Sequence, residues 1–226
     1  MNGFVMSKIG IIGAGNIGGT LARNLVKLGH SVEVANSRGP KSLEAFAASS
    51  GAKAVTVEAA VRDKDLIILS IPTKAVAALP PGLFDAVPAS VPVIDTNNYY
   101  PRERDGRIEA IENGKTEAEW VGETIGRPVV KVFNNIYFKR LAEDGKPQGA
   151  SGRLALPLSG DDAAHKAKVT ALLDELGFDA VDNGPLAESW RYQPGTPAYG
   201  KNAGVAEVKQ QLAAASPERS DSFRGR

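Results

Sequence analysis

The chain has 226 residues, of which 42% are hydrophobic and 23% are charged, a balance typical of a globular domain with a buried core. Its formal net charge of +1 gives no indication of a nucleic-acid partner or an anionic membrane surface. Because the chain contains no cysteine, its sequence excludes disulfides, thiolate nucleophiles and cysteine-ligated metal centres.

Two further features of composition bear on function and location. The only histidines are His30 and His165, and we expect both to face solvent, so the sequence predicts no metal site. No apolar run approaches the ~18 residues of a membrane span. The N-terminal stretch MNGFVMSK lacks the hydrophobic region of a signal peptide. We therefore expect a cytoplasmic protein with neither a nucleic-acid nor a membrane partner.

In the first hundred residues, short apolar runs alternate with segments of helical periodicity. The apolar runs predict strands at 8–12, 31–36, 54–57, 65–72 and 91–97. The segments between them predict helices at 16–29, 40–51 and 57–63, and one that starts at residue 73. Strands that alternate with helices at this spacing are typical of right-handed βαβ units and a parallel sheet.

The second half of the chain is more mixed. The polar segment 98–118 predicts a long surface loop. The later elements are expected as a helix near 118–126, a strand at 129–134, a helix end and glycine-rich loop over 139–150, a strand at 153–160, a helix at 161–177, a strand at 178–184, and helical segments at 186–200 and 204–215. The remainder reads as a mobile polar tail.

These elements predict an α/β protein, a Rossmann fold with a doubly wound, mainly parallel sheet and a small C-terminal α/β extension. We expect three parts along the chain. They are the doubly wound domain over residues 1–184, a C-terminal helical extension over 185–215 and the polar tail over 216–226.

A glycine-rich motif lies between the first predicted strand and the first predicted helix. It reads Gly13-Ala14-Gly15-Asn16-Ile17-Gly18, which is the G-x-G-x-x-G pattern in its required context. The first glycine allows a tight turn, the second lets the backbone approach a pyrophosphate, and the third lets the helix pack closely on the strand. The N–H groups at the helix start would bind the phosphates. The alternative is a structural glycine turn without a nucleotide.

The end of the second predicted strand indicates which dinucleotide would bind. Sites for NAD usually carry an acidic residue there, but Glu33 lies two or three positions too early. The strand ends instead in Asn36-Ser37-Arg38, with Lys41 close behind. A guanidinium can bind a 2′-phosphate in a bidentate way. The sequence therefore favours NADP(H), the alternative being that the serine and arginine are a helix cap and a solvated charge.

Three later strand ends are expected to surround the nicotinamide, because ligands bind beyond the carboxyl ends of parallel strands. The candidate residues there are Ser70, Ile71, Pro72, Thr73, Asn97, Asn134 and Asn135. The asparagines could hold the carboxamide or the substrate, and Ile71 with Pro72 could support the ring. Asparagine and proline are also common turn residues, which is the alternative for each.

The sequence shows no obvious acid–base pair beside these positions. Tyr99-Tyr100-Pro101 lacks the lysine of a Tyr-x-x-x-Lys pair, and the nearest charged candidates are Lys74, Asp95 and Lys139. We expect Asp95 to support the strand end. Reduction of a carbonyl normally benefits from a proton donor, whereas hydride transfer between two ring cofactors needs mainly stacking and orientation. The catalytic residues stay unknown. The scarcity of acid–base candidates favours hydride transfer between two ring cofactors.

An ordered set of motifs resembles the coenzyme F420-dependent NADP oxidoreductases, a group that includes the reductase domains of the STEAP metalloreductases. The matching stretches, spread over about residues 8–192, are IGIIGAGNIGGTLARNLVKLGH, NSR, DLIILSIPTKAV, VIDTNNYY, VVKVFNNI, LPLSGDD and DAVDNGPLAESW. The resemblance implies a Rossmann domain that binds NADP(H), usually a homodimer, and hydride transfer between NADPH and a deazaflavin or flavin.

The resemblance also implies roles for individual positions. Residues 14–17 would contact the pyrophosphate, and Ser37 and Arg38 would hold the 2′-phosphate. Thr73 and Val76 would flank the cofactor, and residues 134–138 would lie near the nicotinamide. The chain departs from the family pattern at Gly39-Pro40, in the longer 98–118 loop and after Tyr192, where the different sequence could reshape the acceptor pocket.

We therefore expect an enzyme that transfers hydride between NADPH and F420 or a flavin (FMN or FAD) as co-substrate. Two alternatives stay open. One is an NADPH-dependent dehydrogenase or reductase of a small carbonyl, imine or hydroxy acid, and the other is a non-catalytic NADP(H)-binding sensor. Against the first alternative, only ~30–40 residues follow the last predicted strand, too few for a large helical dimerisation domain.

Overall fold

The computed structural model describes residues 6–225. Residues 1–5 and 226 lie outside the described residues, and so do the parts of the predicted N-terminal and tail regions that fall on them. Within the described residues, no helix combines the length and the apolar character that crossing a membrane requires.

The centre of the protein is a six-stranded parallel sheet, which confirms the predicted fold class. Its strands are β1 (Lys8–Ile12), β2 (Ser31–Ala35), β3 (Lys53–Ala54), β4 (Leu66–Leu69), β5 (Val93–Asp95) and β6 (Val130–Lys131). Their order across the sheet is β3-β2-β1-β4-β5-β6, and every pairing is parallel. The strand order reverses between β1 and β4, so ligands are expected beyond the carboxyl ends of the strands near this point.

Helices cover both faces of the sheet. They are α1 (Asn16–Lys27), α2 (Glu44–Ser50), α3 (Val57–Val61), α4 (Glu109–Glu112), α5 (Glu117–Ile125), α6 (Phe138–Glu143), α7 (Ala163–Glu175) and α8 (Val205–Ala213). Successive residues of the central strand β4 belong to opposite cores. Ile68 packs with Leu21 of α1 in one core, and Ile67 packs with Val61 of α3 in the other. A strand buried on both faces reads as a continuous apolar run, which is why β4 was visible in the sequence.

A second, two-stranded sheet follows the main one. Strands β7 (Ala155–Leu158) and β8 (Asp179–Asp182) pair in parallel. An antiparallel bridge between Lys131 and Ser159 joins this pair to β6. Since Leu156, Leu158 and α7 share their core with β1 and β6, this extension packs directly on the Rossmann sheet.

Several strands are shorter than their apolar runs. The run 65–72 is paired only at Leu66–Leu69, and the run 129–134 only at Val130–Lys131. Phe133 has φ +66, the left-handed region that a bulky residue rarely adopts, so the chain turns away from the sheet there. Three predicted helical stretches contain 3₁₀ helix instead of α-helix, at Pro40–Leu43, Thr73–Ala78 and Leu186–Tyr192.

The structure corrects the expectation of a long surface loop at 98–118. This segment forms a π-helical turn, Pro101–Asp105, and then α4. Tyr99 is fully buried, and its hydroxyl donates to Glu112 at 2.9 Å and accepts the N–H of Ile108 at 2.9 Å. The segment is therefore a packed part of the protein, because its tyrosine and apolar side chains point inward.

The expected mobile tail is also corrected over residues 216–225. Arg219 forms an ion pair with the buried Glu117 at 3.1 Å, and the N–H of Gly225 donates to Glu112 at 2.7 Å. Arg107 donates to the carbonyl of Gly225 at 2.7 Å. The tail docks through hydrogen bonds and ion pairs made by polar residues. A polar composition is also typical of mobile tails, so composition alone did not reveal the docking.

Both histidines are buried, contrary to expectation. The Nδ1 atom of His30 accepts the N–H of Ser7 at 3.2 Å, and its Nε2 atom lies 3.0 Å from a Glu175 carboxylate oxygen. The Nε2 atom of His165 lies 2.9 Å from the carbonyl oxygen of Ala89. Each imidazole has polar partners, which offset the free-energy cost of burying it.

Candidate functional site

A cleft of about 930 Å³ lies at the carboxyl edge of β1, β2 and β4. It is formed where the strands end and the chain turns back towards the helices. The predicted cofactor residues that line it are Gly13, Ala14, Gly15, Asn36, Ser37, Arg38, Ser70, Ile71 and Pro72. The local motifs of the first two βαβ units therefore meet around one space.

The three glycines of the motif differ in what surrounds them. A Cβ built on Gly13 would lie 2.0 Å from the carbonyl oxygen of Ser70, and φ there is +111. A Cβ on Gly18 would lie 2.0 Å from the carbonyl oxygen of Gly13. Both positions therefore require glycine for the fold itself, since they bring α1 close to β1 and β4.

Gly15 has a different environment. A Cβ at this position would have no heavy atom within 4 Å beyond its chain neighbours, and its φ of −75 suits any residue. Gly15 is the N-cap of α1, and no side chain caps the helix. The N–H groups of the first helical turn have no intrahelical partner, so they can bind an anion. The open space at Gly15 fits the pyrophosphate of a dinucleotide.

The second strand ends in a turn that presents an arginine to the cleft. The Asn36 side chain accepts the N–H of Arg38 at 2.9 Å and donates to Ser42 at 2.9 Å. Gly39, with φ +81, completes the turn. Asn36 therefore builds the turn. The exposed Arg38 guanidinium has no hydrogen-bond or ion-pair partner among residues 6–225.

Two carboxylates bear on the choice of nucleotide. Glu33 forms ion pairs with Lys53 and Lys64 at 3.0 and 2.9 Å, away from the cleft. Glu58, in the first turn of α3, does line the cleft, and the sequence reading missed it. Hydrogen bonds from its own backbone N–H and from Thr56 lower the pKa of Glu58. The cleft therefore holds one carboxylate beside the cationic turn.

Part of the cleft lining, here called the apolar wall, consists of four apolar residues that the sequence analysis did not identify as site residues. It comprises Leu43, Phe46, Val57 and Leu79. These residues come from α2, α3 and the 3₁₀ helices, and helical periodicity marks them as apolar without indicating that they share a wall. Apolar side chains in the same cleft as a cationic turn can accommodate a purine ring.

The carboxyl ends of β5 and β6 are held by a buried ion pair. Lys131 Nζ donates to Asp95 Oδ2 at 3.0 Å and also to the carbonyl of Asn97, and both charged side chains are almost fully buried. Asp95 also accepts the N–H of Asn97 at 2.8 Å. Asp95 thus supports the strand end, as the sequence reading expected.

The predicted nicotinamide residues fall into two groups. Asn97 accepts the N–H of Ile71 at 3.1 Å and so links β5 to the cleft wall, while Thr73 donates to the carbonyl of Asn98 at 2.8 Å. By contrast, Asn134 donates to the carbonyl of Tyr192 at 2.9 Å, and Asn135 Nδ2 lies 3.4 Å from the carbonyl of Ala198. The second pair therefore holds the C-terminal segment against β6.

The remaining predicted site residues do not line the cleft. They are Asn16, Ile17, Gly18, Lys41, Thr73, Val76, Asn97, Asn134 and Asn135. Val76 and Gly18 are buried, Ile17 packs against the core, and Lys41 is exposed on the 3₁₀ helix after the arginine turn. Thr73, Asn97, Asn134 and Asn135 are instead engaged in hydrogen bonds within the protein.

Two tyrosines that the sequence reading did not combine meet at the end of β5. The hydroxyls of Tyr100 and Tyr199 form a hydrogen bond, and Asn98 Nδ2 lies 3.4 Å from the Tyr199 hydroxyl. Burial, followed by the hydrogen bond to Tyr100, raises the pKa of Tyr199 above its ordinary value. No sequence signal links two residues so far apart in the chain.

Comparison with known proteins gives matches over the same region. Residues 8–99 match the family model described as NADP oxidoreductase coenzyme F420-dependent. The protein YjhV of Escherichia coli strain K12 is 41% identical over 87 residues, which are 38% of this chain and 55% of that protein. The chain thus spans about half the length of this curated relative.

Two solved structures extend the similarity. The structure of SMa0349 from Sinorhizobium meliloti is 31% identical, with a TM-score of 0.74, and the match covers 88% of this chain and 95% of that one. A candidate F420-dependent NADP reductase from Arthrobacter sp. FB24 is 24% identical, with a TM-score of 0.63 and coverage of 79% and 85%, and it shows the shared fold. With the family model and these matches, the chain belongs to the coenzyme F420-dependent NADP oxidoreductase family.

Proposed function

We propose that the chain is an oxidoreductase that binds NADP(H) in the cleft and exchanges hydride between it and a deazaflavin or flavin co-substrate. The observation that carries this proposal is the open space at Gly15 beside the unpaired guanidinium of Arg38 in a single cleft. A pyrophosphate and a 2′-phosphate need these two features, and a structural glycine turn needs neither.

The cleft binds the dinucleotide in two parts. The helix start at Gly15 supplies N–H groups and a positive dipole end to the pyrophosphate. The apolar wall around Phe46 and Leu79 receives the adenine. Because both interactions are common to NAD(H) and NADP(H), this part of the site binds either nucleotide.

Arg38 supplies the preference for NADP(H). A 2′-phosphate carries nearly two negative charges, and the turn at Asn36 holds the arginine backbone in place. Glu58 also lines the cleft and disfavours an anion there, so the net preference depends on the guanidinium. Removal of Arg38 should therefore reduce the affinity for NADPH more than the affinity for NADH.

The co-substrate assignment rests on the family description and on the shape of the strand ends. Bound NADPH supplies a hydride, and this chain's part is to orient the two rings and exclude water between them. Ile71 and Pro72 provide an apolar edge to the cleft at β4. A ring acceptor would stack there, whereas a small carbonyl or imine is the second candidate, favoured by the hydroxyls of Tyr100 and Tyr199.

The first experiment titrates NADPH and NADH into the wild-type protein and into Arg38→Ala, using nicotinamide fluorescence. We expect the variant to bind NADPH about 10- to 100-fold more weakly and NADH within about threefold of wild type, because only one ligand carries the extra phosphate. Arg140→Ala, an exposed arginine of α6 paired with Asp144, is the matched control. Equal losses for both nucleotides would remove the 2′-phosphate role.

The second experiment follows NADPH oxidation with coenzyme F420, FMN and FAD, and with a cyclic ketone and a cyclic imine. Turnover with F420 or a flavin supports the proposed reaction. Turnover with the ketone or imine alone would replace it with the second candidate. Tight NADPH binding without turnover of any acceptor would indicate a nucleotide-binding sensor.

A further inference from the structure

The hydroxyls of Tyr100 and Tyr199 lie 99 positions apart in the chain and form a hydrogen bond beyond the end of β5. The pair is connected to the cleft wall by short contacts. Asn98 Nδ2 lies 3.4 Å from the Tyr199 hydroxyl, and the preceding Asn97 accepts the N–H of Ile71 at 3.1 Å. Ile71 lines the cleft. The pair itself is not among the residues that line the cleft, but these contacts place it next to the strand ends where a ligand of this fold is expected.

Both tyrosines are held firmly. The N–H of Tyr100 donates to the buried Asp105 at 2.8 Å, and the guanidinium of Arg104 lies 5.2 Å from the centre of the Tyr100 ring. The N–H of Tyr199 donates to the carbonyl of Thr196 at 3.1 Å. Groups that are fixed before a ligand arrives lose little conformational entropy when they bind it.

The hydrogen-bond count leaves one hydroxyl proton unused. A phenol has one hydrogen to donate, so in a pair of phenols only one can donate to the other. Asn98 is a donor to Tyr199, so it takes neither hydrogen. Among residues 6–225 the two hydroxyls have no other hydrogen-bond partner. One O–H therefore stays available for an acceptor atom outside the protein, whichever tyrosine carries it.

We infer that this tyrosine pair donates a hydrogen bond, and then a proton, to the co-substrate atom that becomes basic as hydride arrives. The inference rests on the proposed function and adds a chemical class to it. The co-substrate is a compound in which the atom that receives hydride, a carbon or the ring nitrogen of a flavin, is doubly bonded or conjugated to the oxygen or nitrogen that then becomes basic. Ring nitrogens of flavins and deazaflavins share this chemistry with small ketones and imines.

The step is balanced in atoms and electrons. The accepting atom of the co-substrate, a carbon or a flavin ring nitrogen, gains the hydride of NADPH, which becomes NADP⁺, and a π electron pair of the co-substrate moves onto its oxygen or second nitrogen. The tyrosine O–H bond breaks as the new O–H or N–H bond forms. The phenolate then regains a proton from solvent through the second hydroxyl.

The surroundings suit a neutral donor. Burial and the bond to Tyr100 raise the pKa of Tyr199, so its hydroxyl is protonated at neutral pH. The charge of Glu117 also raises this pKa, and Arg104 is a smaller influence that lowers it. A proton donor must hold its proton before the step, and Tyr199 meets this condition; loss of the proton then depends on the basicity that the co-substrate gains as hydride arrives.

The test compares Tyr199→Phe and Tyr100→Phe with the wild-type protein. Tyr99→Phe is the matched control, because it removes a hydroxyl that bonds Glu112 and Ile108. The probes are coenzyme F420, FMN, cyclohexanone and 2-methyl-1-pyrroline. For each probe that the wild type reduces, we would measure kcat, KM, the solvent isotope effect on kcat, and the Kd of the probe for the NADP⁺-bound protein. The Kd of NADPH and the melting temperature are measured for every variant.

We expect the Tyr199 or the Tyr100 variant to lose about 100-fold in kcat, with its solvent isotope effect changed. The same variant should bind the probe roughly fivefold more weakly, with the Kd of NADPH within twofold of wild type. The Tyr99 variant should melt earlier but retain kcat. F420 or FMN as the responding probe identifies a ring nitrogen, and cyclohexanone or the pyrroline identifies a small carbonyl or imine.

The negative outcomes separate the two proposals. If the wild type reduces a probe and both variants retain kcat and probe affinity, the hydroxyl pair is structural and only the present inference fails. If the wild type binds NADPH but reduces none of the probes, the proposed function fails and this inference fails with it. A lower melting temperature with unchanged kcat in the Tyr199 and Tyr100 variants also overturns the inference.

Discussion

At the scale of single residues, the glycine motif separates into positions needed for folding and a position open to a ligand. Gly13 and Gly18 approach backbone carbonyls so closely that a side chain at either would displace the turn. Gly15 faces open space. The sequence pattern predicted three glycines with three roles, and the structure shows how differently they tolerate substitution.

This difference gives a prediction for Gly15→Val. The melting temperature should fall by only about 2–4 °C, because a Cβ at this position meets no atoms of the protein and needs no unusual backbone angle, and valine is only a poorer helix N-cap than glycine. NADPH affinity should fall at least about 100-fold, since the side chain fills the proposed pyrophosphate position. Thermal unfolding and fluorescence titration measure the two effects.

Gly18→Ala is the contrasting variant. Its Cβ would lie 2.0 Å from the carbonyl of Gly13, so we expect a large fall in melting temperature. If Gly15→Val binds NADPH as tightly as wild type, the phosphates do not lie at this turn and the site model is wrong.

At the scale of elements, the carboxyl ends of β5 and β6 carry the most unusual local structure. A buried ion pair joins Lys131 to Asp95, and Phe133 takes a left-handed backbone conformation directly afterwards. Strain of this kind persists only where the surroundings hold it, and it is commonly found at functional sites. The turn it creates places Asn134 and Asn135 against the C-terminal segment, so these asparagines position the segment that carries Tyr199.

Asp95→Asn tests the ion pair. The variant leaves the Lys131 ammonium buried without its counter-charge, so the free energy of unfolding should fall by about 3–5 kcal/mol, measured by urea denaturation. Asp95→Asn combined with Lys131→Met removes both charges and should recover part of the loss. A single variant as stable as wild type would show that the pair does not hold the strand ends together.

At the scale of the whole molecule, the tail closes over the segment that follows β5. Glu117 is fully buried in α5, where it accepts the N–H of Tyr99 at 3.1 Å, and Arg219 of the tail pairs with it at 3.1 Å. Arg219 also donates to Gln193 at 3.0 Å and lies over the Tyr99 ring. Arg219 thus joins the tail, α5 and the C-terminal segment. The homodimer expected from the sequence stays a prediction.

Removal of this arginine should give a pH-dependent loss of stability. Burial raises the pKa of Glu117, while Lys131 and Arg219 lower it, so Arg219→Ala raises it further. When the pKa of a carboxyl group is higher in the folded than in the unfolded state, its ionisation destabilises the folded state. This destabilisation is absent at low pH and grows as the pH rises past about 4.5. We expect the loss in unfolding free energy to reach about 3 kcal/mol at pH 7.5 and to be smaller at pH 4.5.

Urea denaturation at both pH values measures this effect. Glu117→Gln in the Arg219→Ala background is the control, because it removes the titrating group and should leave a loss that no longer varies with pH. A loss in the single variant that is equal at the two pH values would assign the role of Arg219 to packing on Tyr99 and not to the buried carboxylate.

The sequence by itself determined the parallel βαβ order, the glycine turn and the cationic turn at Arg38, because each depends on residues close together in the chain. Hydrophobic period, glycine spacing and strand-end chemistry are local signals. Only the tertiary structure decided that both histidines are buried, that the tail docks and that Asn134 and Asn135 face the C-terminal segment. It also decided that Tyr100 meets Tyr199, since contacts between distant segments depend on how the elements pack, which no local pattern records.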